Sequence, residues 1–140
     1  MKKYLFDTNA ISDSIARRHG IYDRSAEMRR NGAKIGTCYP VIAEMYFGIE
    51  KSASKQLNLI EFEIALRSFV IWPFDQKAAK EYGRIAAHLK RVGRPIQQID
   101  MMIAAIALTI PDCTVVTRDT DFLAVPGLTV ENWVINNACN

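Results

Sequence analysis

Four acidic residues stand where the surrounding sequence is too apolar to offer them a wide solvent face. Asp7 closes the run "KYLF", Glu44 interrupts "PVIAEMYFG", Asp100 interrupts "PIQQIDMMIAAIAL", and Asp119 follows "CTVVT" with one residue between. A carboxylate in such a setting is costly unless something offsets its charge. Taken singly, each has an ordinary explanation: Asp7 as acceptor for a helix start, Glu44 and Asp100 on solvated stripes or paired with arginine, Asp119 as a turn residue. If the four converge, mutual repulsion disfavours keeping them all ionised, and a divalent cation removes that repulsion. Oxygen ligands without a cysteine or histidine cluster suit hard ions, Mg²⁺ or Mn²⁺ rather than Zn²⁺. Mg²⁺ held in this way binds phosphate oxygens, so the chemistry that fits is phosphoryl transfer, with water rather than a side chain as nucleophile.

The elements that must bring these acids together alternate between strand and helix. "KYLF" predicts a buried strand, followed in "NAISDSIARRHG" by a loop turning into a helix that stops at Gly20. A second helix is expected in "DRSAEMRRNG", starting near Asp23 or Ser25 and ending at Gly32, then a strand in "AKIGT". In "PVIAEMYFGIEKSA", Pro40 suits a helix start and Val41, Met45 and Ile49 share one face. "KQLNLIEFEIALRSF" has a similar period, "VIWPF" reads as a strand, and "DQKAAKEYGRIAAHLKRVG" as a long helix capped by Asp75 and ended by Gly93. The segment "RPIQQIDMMIAAIALTI" is apolar nearly all round, which predicts a central buried helix. After it come the strand "CTVVT", a loop with a helical turn in "RDTDFL", and a last strand in "LTVENW". Strands separated by helices pair in parallel, giving an α/β sandwich with function collected at the carboxyl ends of its strands. Asp7 and Asp119 both fall at such ends.

The remaining features narrow the class. With 140 residues, the chain fits a single domain able to bury a core without disulfides. Its 49% apolar and 24% charged content excludes disordered and fibrous classes. The apolar run after Lys2 and Lys3 stops at Asp7, too soon for a signal peptide, and "MMIAAIALTI" is about half of a membrane span, so a soluble cytoplasmic protein is expected. Cys38, Cys113 and Cys139 lack metal-site spacing and read as reduced thiols. The net charge of +3 is mild, but Arg17 and Arg18, Arg29, Arg30 and Lys34, and Arg84, Lys90, Arg91 and Arg94 form local basic groups. Such groups suit a polyanion only if several surround one site. Trp72, Trp133 and most of Phe47, Leu59, Ile60 and Phe62 are expected in the core, His19 and His88 at the surface, and the polar tail "NNACN" frayed.

Four segments in order, "YLFDTNAI", "VIAEMYFGIEKS", "QQIDMMIAAIAL" and "VVTRDTDFLAVPGLTVENW", resemble the motifs of PIN-domain ribonucleases, specifically the VapC toxins of toxin–antitoxin pairs. The resemblance covers nearly the whole chain. It implies one PIN domain over residues 1–140, a three-layer α/β/α sandwich with a mainly parallel central sheet. It implies that Asp7, Glu44, Asp100 and Asp119 are the acidic metal-binding and catalytic positions, with Asp121 ranked second to Asp119. Thr8 and Asn9 match the polar pair that helps hold the first aspartate, and Thr117 the hydroxyl residue before the last acid. Pro40 and Val41 depart from the pattern, standing where relatives often carry a hydroxyl before the glutamate. Proteins of this kind use Mg²⁺ or Mn²⁺ to hydrolyse structured RNA such as tRNA, leaving a 5′-phosphate and a 3′-hydroxyl. They form homodimers, and a small VapB-type antitoxin silences them by laying its tail across the active-site groove. Arg91, Arg94 and Arg118 are the expected RNA contacts, since phosphate contacts supply affinity. Two rival classes are a phosphatase or receiver-type α/β protein, which should show a second acid near Asp7, and a non-catalytic binding module, which would gain by losing negative charge at the site.

Overall fold

The computed structural model describes residues 1–135, so the reading of the tail, with Cys139, lies outside the described residues. The apolar run Lys3–Phe6 forms strand β1 at the centre of a five-stranded sheet. Along the chain follow α1 (Thr8–Ile15), α2 (Ile21–Arg30), β2 (Lys34–Cys38), α3 (Tyr39–Glu50), α4 (Lys55–Leu66) and β3 (Val70–Trp72). Then come α5 (Gln76–Arg91), α6 (Gln98–Leu108), β4 (Cys113–Val116), a 3₁₀ turn (Thr120–Ala124) and β5 (Thr129–Glu131). The order is β3-β2-β1-β4-β5 with every neighbouring pair parallel, as the helical crossovers require. β2 and β4 flank β1, so the order of strands reverses there and a crevice opens at the carboxyl ends of β1 and β4. Pairing of Phe6 with Val116 puts the next residues, Asp7 and Thr117, at that crevice.

The first helix differs from its expected form. No loop precedes α1, because the Asp7 carboxylate accepts the Ala10 N–H at 2.9 Å and starts the helix at once. It stops at Ile15, well before Gly20, since Arg17 and His19 take left-handed φ values of 57° and 60° that no right-handed helix can include. α2 then begins at Ile21, ahead of Asp23 and Ser25, and the Ser25 hydroxyl donates to the Tyr22 carbonyl. α5 follows the expected pattern, with Asp75 accepting the Ala78 N–H and Gly93 at φ 69° beyond its end.

Leu5, Phe6, Val115 and Val116 fill the sheet centre, and Ile103 to Ala107 of α6 are buried as its all-round apolar pattern predicts. Trp133 is buried edge-on to Phe6, with ring centroids 5.4 Å apart, whereas Trp72 is partly buried. At Gly36 a side chain would meet the Val70 carbonyl at 2.4 Å, so only glycine lets β2 and β3 approach. Cys38 and Cys113 are free thiols that burial pushes up to about 12. The core expectation for the α3–α4 apolar residues holds for Phe62 and in part for Leu59. Phe47 and Ile60, however, are 64% and 57% exposed, because Phe62 packs edge-on under Tyr46 and turns the other faces outward. Among the described residues no helix is long and apolar enough to cross a membrane.

Candidate metal centre

Asp7 is held from three sides. Its N–H donates to the Val116 carbonyl at 3.2 Å, one carboxylate oxygen accepts the Ala10 N–H, and the other accepts the Thr117 hydroxyl at 2.5 Å. Burial, at 4% exposure, pushes its carboxyl above the usual range; the two hydrogen bonds oppose this, Asp119 adds to it and Arg118 counters it. The polar pair after Asp7 divides differently from expectation. Helix α1 begins at Thr8, whose hydroxyl donates to the Glu44 carboxylate, while Asn9 is exposed with no side-chain hydrogen bond among the described residues. The expected grip of Thr8 and Asn9 on Asp7 is therefore exerted by the Ala10 amide and Thr117.

Asp100 lies in the first turn of α6, half-buried, and its carboxyl is pushed up to about 7. Burial is the largest cause, followed by the charges of Asp119, Asp7, Glu44 and Asp121. All four other acids thus act on this one group. Asp119 caps the 3₁₀ turn, accepting the Asp121 N–H at 2.9 Å, and its own N–H donates to the Thr117 hydroxyl oxygen at 2.9 Å. One hydroxyl therefore ties the acid at the end of β1 to the acid beyond β4. Carboxylate oxygens of Asp100, Asp119 and Asp121 all lie within 4.8 Å of one another. The donor set is oxygen alone, and its groups repel one another, so the residues present fit a hard divalent cation.

The cations at the rim are mostly engaged. Arg94 pairs with Asp121 at 2.7 Å, and the Nε of Arg118 lies 3.4 Å from Asp13. Arg91 is exposed at the end of α5, with no ion pair among the described residues. Asp13 does not stand out in the sequence. Its local setting, "ISDSIARR", resembles an ordinary helix face, and the only local signal of burial is the arginine five residues on, Arg18, whose Nε lies 3.1 Å from it. Beside the acids a groove of about 510 Å³ opens between α1, α3 and α4, lined by Ile15, Met45, Ile49 and Phe62 and reaching Thr8 and Glu44.

The comparisons with known proteins agree with this architecture. The family model of the PIN domain matches residues 4–128. The chain is 32% identical over 134 residues to ribonuclease VapC2 of Haemophilus influenzae, covering 96% of this chain and 100% of that protein. It is 30% identical over 137 residues to the tRNA(fMet)-specific endonuclease VapC of Shigella flexneri, covering 95% and 99%. Among solved structures, that of VapBC2 from Rickettsia felis bound to a DNA fragment from its promoter superposes with a TM-score of 0.86 at 28% identity, covering 94% of this chain and 98% of that one. The DNA-bound VapBC of Salmonella typhimurium gives 0.85 at 29% identity, covering 95% and 99%.

Proposed function

The chain belongs to the PIN domain family, and on that premise we propose that it is a metal-dependent endoribonuclease, the toxin of a toxin–antitoxin pair. The observation that carries this reading is the convergence of Asp100, Asp119 and Asp121 on one point, with Asp7 and Glu44 close enough for their charges to act on Asp100. These carboxylates would hold Mg²⁺ or Mn²⁺, which when bound supplies charge stabilisation at the phosphate and makes water a better nucleophile at neutral pH. The protein's own residues preorganise that arrangement. Thr117 and the Ala10 amide fix the two oxygens of Asp7, and Thr8 orients Glu44 by its hydrogen bond. Asp100, whose carboxyl burial and the neighbouring acids push up to about 7, would hold the cation as a carboxylate. In-line attack by water on the RNA phosphodiester then leaves a 5′-phosphate and a 3′-hydroxyl. Arg91 and Arg94 supply phosphate contacts to a structured RNA such as a tRNA, and Arg118, 44% exposed while paired with Asp13, adds its positive charge at the same rim.

We further propose a homodimer, located in the cytoplasm and silenced by a VapB-type antitoxin that blocks translation arrest. The groove that ends at Glu44 and the exposed Phe47 and Ile60 supply apolar surface for such a partner. The test is incubation of total cellular RNA with antitoxin-free protein in Mg²⁺ or EDTA, beside Asp7→Ala prepared identically. Discrete metal-dependent fragments absent from the variant are expected. Equal cutting by the variant would remove Asp7 from the mechanism, and no cutting by wild type on any RNA would leave a binding module.

A further inference from the structure

Asp13 is the most thoroughly buried carboxylate of the chain that the reading above does not use: its side chain is 2% exposed, and two guanidinium groups share it. Arg18 presents Nε to one oxygen at 3.1 Å and Arg118 presents Nε to the other at 3.4 Å. Burying a charge at this depth is costly without partners, and both partners of this one lie outside α1. The two arginines differ in what they need from it. Arg18 belongs to the turn after α1, and that turn is already tied by the Arg18 N–H donating to the Asp13 backbone carbonyl at 2.8 Å. Arg118 belongs to the segment after β4, between Thr117, which fixes Asp7, and Asp119, which caps the 3₁₀ turn. No backbone bond among the described residues joins that segment to α1, so beside the Thr117 bond to the Asp7 cap the Asp13 carboxylate is its side-chain tether to that helix, while Arg94 pairs with Asp121 from the other side.

We propose that Asp13 is a positioning residue for the acidic cluster, acting through Arg118 to hold the Thr117–Asp121 segment against α1. The tether fixes the segment in the arrangement where one hydroxyl bridges Asp7 and Asp119 and where Asp119 and Asp121 face Asp100. It also keeps the Arg118 charge beside Asp7 rather than free in solvent. The assignment rests on the reading of the acids as a metal site, but its consequence for the segment exists without metal.

The test compares Arg118→Ala, Arg18→Ala, Asp13→Asn and the double variant Asp13→Asn/Arg118→Ala in the full chain. In metal-free protein, hydrogen exchange at the Asp119 and Asp121 amides reports the segment directly, because those N–H groups donate to Thr117 and Asp119. In parallel, Mn²⁺ binding is measured by calorimetry with the metal alone. Arg118→Ala and Asp13→Asn should each speed exchange at both amides and raise the Mn²⁺ dissociation constant about tenfold, the usual effect of losing a partner behind a ligand shell. The double variant should be no worse than the worse single one, and Arg18→Ala should leave both readouts at wild-type values. Unchanged exchange in Arg118→Ala, or an equal effect of Arg18→Ala, overturns the proposal. Arg118 is 44% exposed, so its alanine variant folds even where Asp13→Asn does not. If wild type binds no Mn²⁺, the metal-site reading fails, while exchange still decides the role of Asp13.

Discussion

Helix α1 carries a carboxylate at each end, and the two are treated in opposite ways. Asp7 caps the N-terminus, where free N–H groups and the helix dipole favour negative charge, and among the described residues no arginine or lysine forms an ion pair with it. Asp13 lies in the last turn, where the dipole opposes it, and two arginines pair with it. The first arrangement leaves negative charge facing four other acids; the second leaves none. Charge kept for a ligand is held by dipoles that do not compete for it, whereas charge kept for architecture is consumed by ion pairs.

The contrast can be broken most severely at the ligand end. Asp100→Asn or Asp7→Ala should lower RNA cleavage by about 1000-fold or more, the scale expected when a site loses the electrostatic group on which its chemistry depends. Single-turnover rates in Mg²⁺ measure it. The second prediction sets the two ends against each other in urea unfolding of the metal-free protein. Asp13→Asn should cost about 1.5 kcal/mol, the scale of losing charge-assisted bonds to arginines that stay half exposed and hydrated, while Asp100→Asn should leave stability unchanged or raise it by removing repulsion. Equal destabilisation by both would erase the distinction.

The pH dependence sharpens it further. The carboxyl of Asp100 titrates near 3.8 in the unfolded chain and about 7 when folded, so between those values the folded state binds more protons. Metal-free stability should therefore fall as pH rises from about 4 to about 7, and a saturating divalent ion should flatten or reverse that slope; denaturation across pH with Mn²⁺ or EDTA reads it. The smallest effect belongs to Arg94→Ala. Its exposed pair with Asp121 should change stability by less than about 1 kcal/mol, while Mn²⁺ titration should show slightly tighter binding as Asp121 is released.

What the sequence revealed divides along the range of the interactions. The acids at the ends of β1 and β4, the Asp75 cap, the Gly93 stop and the buried α6 all rest on local pattern, and local pattern is what a sequence displays. The abrupt start of α1 is hidden in the sequence because "TNAISD" looks like a loop until Asp7 is recognised as its cap. The core expectation for most of Phe47, Leu59, Ile60 and Phe62 fails at Phe47 and Ile60 because apolar character alone does not tell a core face from one left open to a partner. Asp13 and Arg118 could not be paired in advance, being brought together only by the position of β4 beside β1. The choice between Asp119 and Asp121 likewise depended on a 3₁₀ turn that presents both to Asp100.

The hydroxyl of Thr117 reaches back 110 residues to Asp7. During translation, Asp7 and Glu44 are made well before Asp100, Thr117, Asp119 and Asp121. No partial product can carry the assembled centre, because β4 must first enter beside β1. The centre is therefore a property of the finished sheet and not of any one segment.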